Sequence, residues 1–193
     1  MTTYQPKSST ALIVVDVQQS FRHRPYWSDD DLGSYLAAQN ALIACFKNLG
    51  LPVVRVFHVE GSGVFSHSSG YVRPLDGLAD FDADCTIEKQ VHSALAGTAL
   101  ARWLISNHVQ RIAVSGIRTE QCCETTTRHA SDMGFDVDYV SEATLTFTMK
   151  HPVSGRVFTP HEIKERTELV LHGRFATVCS VAGALERAGS SAV

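Results

Sequence analysis

ALIVVDV, residues 11–17, is an almost unbroken run of aliphatic, mostly β-branched side chains, interrupted only by Asp16 near its end. A strand with one wet face alternates apolar and polar residues, whereas this one does not, which predicts burial on both faces in the middle of a parallel sheet. Working outward, residues 31–49 place Leu32, Leu36, Ile43, Phe46 and Leu49 roughly along one helical face, with Asp29 to Asp31 at the start and Gly50 and Pro52 at the stop. Further strands are predicted at PVVRVFHV (52–59), RIAVSGI (111–117), DVDYVSEA (136–143) and ATVCSV (176–181), and a shorter one around 85–88. Helical patterns occupy 94–106, 120–133, 160–172 and 182–188. This alternation is the pattern of repeated βαβ units, so the expected fold class is α/β, with a mainly parallel sheet covered by helices on both sides.

The composition agrees. With 193 residues, 44% of them hydrophobic and 19% charged, the chain has material for a sizeable core, and a single domain over 1–193 is expected. The five cysteines, Cys45, Cys85, Cys122, Cys123 and Cys179, are odd in number, scattered, and free of C-x-x-C spacing, which points to a reducing, cytoplasmic setting. The apolar run 11–15 is too short to span a membrane, carries Asp16 at its end and lacks a small-residue cleavage site. A net charge of −3 without a block of Lys or Arg argues against nucleic acid. The expected partners are a small-molecule substrate and further copies of the chain, a homo-oligomer. No repeat or linker divides the sequence. EGSGVFSHSSGYVRPLDG (60–77) is rich in Gly and Ser but holds Phe65, Tyr71 and Val72, which suits a lid or a subunit contact. The final GSSAV is expected to fray.

Ligands of open parallel sheets bind beyond the carboxyl ends of the strands. Asp16 ends the first strand, GIRTEQCC (116–123) follows the third long one, and Lys89 follows the short strand at 85–88. Thr119 reads as an N-cap that puts Cys122 in a first helical turn, where the dipole and free N–H groups favour thiolate and lower its pKa. Cys123 lies about 100° further round and shares a small-residue stripe with Ala130 and Gly134, as packing against the sheet requires. On helix geometry alone, Cys122 is equally a nucleophile or a buried thiol.

Asp16 in LIVVDVQQSF, Lys89 in KQVHSALAGTAL and Cys122 in GIRTEQCCETTTRHASDMGF together resemble the three motifs of the isochorismatase-like cysteine hydrolases, in the same order and over most of the chain. The resemblance implies a three-layer α/β/α sandwich, Rossmann-like, and an Asp-Lys-Cys triad. In it Cys122 attacks a carbonyl carbon, Asp16 serves as base, and Lys89 holds Asp16 and adds positive charge beside the sulfur. It further implies an oxyanion hole from the backbone N–H groups of Arg118 and Cys122, and a cis peptide between Ile117 and Arg118. The chemistry has a physical reason: a covalent thioester divides one difficult hydrolysis into two easier steps.

The chain also departs from its relatives. Nicotinamidases carry an Asp-x-His and a second His that hold a metal, whereas RVFHVEGSGVFSH offers His58, Glu60 and His67 without that arrangement, so neither a metal nor another cofactor is expected. Arg118 stands where the family commonly has a small residue. Its side chain either enters the pocket to bind a carboxylate or turns away to pair with Glu120 or another acid. Phe21, His58, His92 and Arg118 are the expected pocket residues, with Trp27 and Phe65 as further candidate walls. The expected activity is hydrolysis of a C–N bond in a small amide, carbamoyl or ureido compound. The alternatives are a vinyl-ether hydrolase of the isochorismatase type, using Asp16 as general acid, and a catalytically silent ligand-binding oligomer.

Overall fold

The computed structural model describes residues 10–189. The opening apolar run becomes β1, Thr10–Val15, with every residue buried. There follow α1 (Leu32–Asn48), β2 (Val53–His58), β3 (Cys85–Lys89), α2 (Leu100–Ser106), β4 (Arg111–Ile117), α3 (Glu124–Asp132) and β5 (Asp136–Leu145). The chain then makes a short hairpin, β6 (Met149–Lys150) and β7 (Val157–Phe158), and ends with α4 (Pro160–Leu171), β8 (Thr177–Cys179) and α5 (Val181–Gly189). Six strands form one sheet in the order β3-β2-β1-β4-β5-β8, and its pairings are parallel throughout. The expected three-layer α/β architecture is what the chain builds.

β1 sits inside the sheet because its side chains serve both faces. Leu12 and Val14 join Leu42, Ile43 and Phe46 of α1 and Ala184 and Ala188 of α5 in one core. Ala11, Ile13 and Val15 join Leu100 and Leu104 of α2, Ala130 of α3 and Leu171 of α4 in the other. Strand alternation therefore divides one continuous apolar run between two half-cores. Helix α4 begins with a capping box: Thr159 Oγ1 accepts from the Glu162 N–H at 3.2 Å, and the Glu162 carboxylate accepts from the Thr159 N–H at 2.8 Å.

Several local expectations are corrected. The pattern at 94–106 is helical only from Leu100, because side-chain oxygens take up the backbone in the preceding segment: Ser93 Oγ accepts from Leu95 N–H and Thr98 Oγ1 from Leu100 N–H, both at 3.2 Å. The helix expected over 120–133 opens instead with one π-helical turn, Thr119–Cys123, before α3. Thr119 is not a cap, since its hydroxyl donates to Thr144 Oγ1 at 2.9 Å. Gly134 is exposed, so only Cys123 and Ala130 of the proposed stripe pack in the core. The β6–β7 hairpin was not foreseen. The 60–77 loop is docked onto the segment leaving β1 through Gln19 N–H to Arg73 O at 2.9 Å and Leu75 N–H to Val17 O at 3.1 Å, with Phe65 and Leu75 in the core. Of the tail expected to fray, 190–193 lie outside the described residues, and Gly189 closes α5. Among the described residues no helix is long and apolar enough to cross a membrane.

Candidate active site

From β1 the chain builds β2 and β3 on one side, then crosses to β4, β5 and β8 on the other. The reversal between β1 and β4 opens a crevice at the carboxyl ends of those strands. Asp16 follows β1 directly, with φ of 53°, a left-handed conformation that non-glycine residues seldom hold without a local reason. Its N–H donates to Val56 O at 2.9 Å, which fixes the turn. Lys89 ends β3, and Cys122 lies in the π-helical turn after β4, where Cys123 N–H reaches back five residues to Arg118 O at 3.2 Å. π-Turns of this kind recur at functional sites. The peptide between Ile117 and Arg118 is cis.

These three side chains meet. Lys89 Nζ lies 2.7 Å from Asp16 Oδ2, with both side chains wholly buried, and donates to Cys122 Sγ at 3.4 Å. The Asp16 carboxyl group and the Cys122 sulfur thus share the Lys89 ammonium as a common neighbour. Burial raises the Asp16 pKa against the opposing pull of Lys89. Burial would lower the Lys89 ammonium, but Asp16 and Cys122 outweigh it and hold its pKa above the ordinary value. The Cys122 thiol is pushed up to about 12, first by burial and then by the Asp16 carboxylate. This overturns the expectation of a lowered thiol pKa: a buried sulfur facing a carboxylate gains more from keeping its proton than the helix start and Lys89 return. A carboxyl group, an ammonium and a thiol are thus gathered at one buried point, with Lys89 touching the other two.

A cleft of about 260 Å³ opens onto Asp16 and Cys122, and its walls include Phe21, His58, Phe65, His92 and Arg118. His58 Nδ1 lies 3.3 Å from Lys89 Nζ and Nε2 3.3 Å from Glu60 Oε1; burial, then Lys89, lowers its pKa. Fully buried Gln18 fastens this histidine's backbone, its Oε1 accepting from His58 N–H at 2.7 Å and its Nε2 donating to His58 O at 3.0 Å. Arg118 combines the two placements considered from sequence. It lines the cleft and also pairs with Glu120 at 2.7 Å, but both side chains are nearly buried rather than at the surface. Trp27 is not in this wall and instead packs on Phe147, with ring centres 5.0 Å apart. Sequence reasoning missed Arg24, Tyr26 and Gln121 in the cleft and considered Glu60 only as a metal ligand. Arg24 and Tyr26 follow the Asp16 strand in FRHRPYW (21–27), a position that the strand-end rule could have flagged.

His67 lies beside Glu88, 3.2 Å from its carboxylate, rather than joining His58 and Glu60. Among the described residues no three His, Cys, Asp or Glu side chains gather as a metal site. A second hollow of about 300 Å³ lies between the β6–β7 hairpin and α4 and contains neither Asp16 nor Cys122.

The isochorismatase domain model matches residues 10–155. The uncharacterised isochorismatase family protein YrdC of Bacillus subtilis is 27% identical over 172 residues, covering 87% of this chain and 90% of that one. Nicotinamidase 3 of Arabidopsis thaliana is 41% identical over 64 residues, 33% of this chain and 32% of its own. A cysteine hydrolase from Pseudomonas syringae pv. phaseolicola superposes with a TM-score of 0.84 at 21% identity, covering 97% and 95% of the two chains, a likeness of fold.

Proposed function

The chain belongs to the isochorismatase domain family of hydrolases, and from that premise we propose that it cleaves a C–N bond of a small amide, carbamoyl or ureido compound through a thioester on Cys122. The observation that carries this reading is the buried contact of Asp16, Lys89 and Cys122 at the floor of a cleft. Cys122 Sγ attacks the substrate carbonyl carbon while its proton passes to Asp16, and the carbonyl π pair moves onto oxygen. The backbone N–H groups of Arg118 and Cys122 receive that oxyanion, as preorganised donors do where charge develops. Collapse breaks the C–N bond, and Asp16 returns the proton to the leaving nitrogen. Asp16 then takes a proton from water as the water attacks the thioester, and returns that proton to sulfur as the C–S bond breaks, which restores the thiol. Lys89 stays charged throughout and keeps Asp16 ionised against the cost of burial.

The amide class is supported by the local similarity to a nicotinamidase, whose name denotes action on an amide. No step requires a metal. All five cysteines are unpaired, which supports a reducing, cytoplasmic setting.

The test is mass spectrometry of acid-quenched enzyme after incubation with small amides, carbamoyl compounds and ureas. An acyl mass on the peptide carrying Cys122 is expected, together with loss of turnover in Cys122→Ala. Undiminished hydrolysis by Cys122→Ala would reject the thioester and mean that water attacks the substrate directly.

A further inference from the structure

Arg24, Tyr26 and Arg118 all line the cleft that holds Asp16 and Cys122. Both guanidinium groups lie against the tyrosine, their central carbons 5.7 Å (Arg24) and 4.6 Å (Arg118) from the ring centre. An aromatic ring fixes a guanidinium while leaving its edge available for hydrogen bonds. The two arginines differ in charge balance. Arg118 is nearly buried and its charge is met by Glu120 at 2.7 Å, a carboxylate that also accepts from Thr146. Arg24 is exposed and has no acidic partner among the described residues.

Of the other charges of the cleft, Asp16 is met by Lys89, whereas Glu60 lies 3.3 Å from His58 Nε2, a histidine whose lowered pKa leaves that carboxylate's charge uncancelled. Arg24 is thus the cation of the cleft without a neighbouring carboxylate. In addition, Arg118 Nε is buried without a hydrogen-bond acceptor among the described residues.

We propose that this hydrolase is selective for anionic substrates, small amide, carbamoyl or ureido compounds carrying a carboxylate, and that Arg24 is the residue that binds the carboxylate. This inference rests on the hydrolase reading for its reaction. Its binding component does not depend on turnover and is tested separately.

The probes are N-iodoacetylglycine and N-iodoacetyl-β-alanine, each compared with its neutral primary amide. In every case sulfur displaces iodide and a C–S bond forms on Cys122, so alkylation needs no hydrolysis. The quantity read is the ratio of acidic to neutral probe rates at Cys122, divided by the same ratio for glutathione. A preference for the acidic probe of about fivefold is expected for one charge-assisted contact at an exposed arginine. Arg24→Ala should abolish it, Arg24→Lys should keep part of it, and added salt should weaken it. A normalised ratio of one in the wild type, or a preference undiminished by Arg24→Ala, overturns the proposal. Failure to form an acyl-enzyme from any amide would strike the hydrolase reading and leave the probe ratio as an independent measure of anion binding.

Discussion

Cys122 keeps its proton because it is buried and faces the Asp16 carboxylate. The thiol's pKa of about 12 comes from burial and then from the carboxylate, with Lys89 opposing. The iodoacetamide rate at Cys122 should therefore go on climbing past pH 9, with no plateau near neutrality. In Asp16→Asn the carboxylate charge is gone while burial remains, so the same profile should shift to lower pH. That variant should also lose turnover, since no base remains to take the proton. A neutral-pH plateau in the wild type would mean that sulfur rests as a thiolate beside Lys89. At this scale the sequence showed which residues to watch, because Asp16, Lys89 and Cys122 each occur in a recognisable local motif. It did not show their electrostatics. A helix start suggested a lowered thiol pKa, but the opposing charge comes from a residue more than a hundred positions away, which no local pattern reports. Arg24 was missed for a related reason: its meaning depends on Glu120 satisfying Arg118, a pairing visible only once both side chains have directions.

Gly116 couples β1 to β4 beside the site. It pairs with Val15, the residue before Asp16, and has φ of +128°. A Cβ placed there would lie 1.9 Å from Val15 O, so an added methyl must separate the strands that carry Asp16 and Cys122. Gly134, after α3, has φ of +90° with nothing within 4 Å of its virtual Cβ. Gly116→Ala is expected to cost about 3 kcal/mol or more in denaturant unfolding, from strain and clash together, whereas Gly134→Ala should cost about 1 kcal/mol from strain alone. Equal losses would show that the sheet yields at Gly116 and that the close approach is not required. Long β-branched runs made the principal strands legible, including β3 with its shorter pattern. The two-residue strands of the β6–β7 hairpin are too short to display any period. At 94–99 the apolar spacing looked helical, but Ser93 and Thr98 offered the backbone other partners. The π-turn at Thr119–Cys123 was hidden because Thr119, a good cap by composition, spends its hydroxyl on Thr144 of β5.

The fold as a whole depends on one strand serving two cores. Leu12 packs on the side of α1 and α5, and Ile13 on the side of α2, α3 and α4. The sequence made this legible early, since only a strand covered on both faces tolerates so few polar residues. Whether the two half-cores unfold together decides whether the expected single domain is also a single cooperative unit. The chain's two tryptophans are placed to report on it, for Trp27 packs against the first core and Trp103 against the second. Trp27→Phe and Trp103→Phe each leave one reporter, and after allowance for the substitution itself their denaturant curves should share one midpoint and slope. Leu12→Ala adds the decisive comparison. It opens a cavity in the first core alone, with an expected cost of about 3 kcal/mol. Because β1 cannot leave one core and remain in the other, the Trp103 signal should move by as much as the Trp27 signal. If Leu12→Ala shifts only the Trp27 transition, the two faces of the sheet are separable units, and β1 does not couple them.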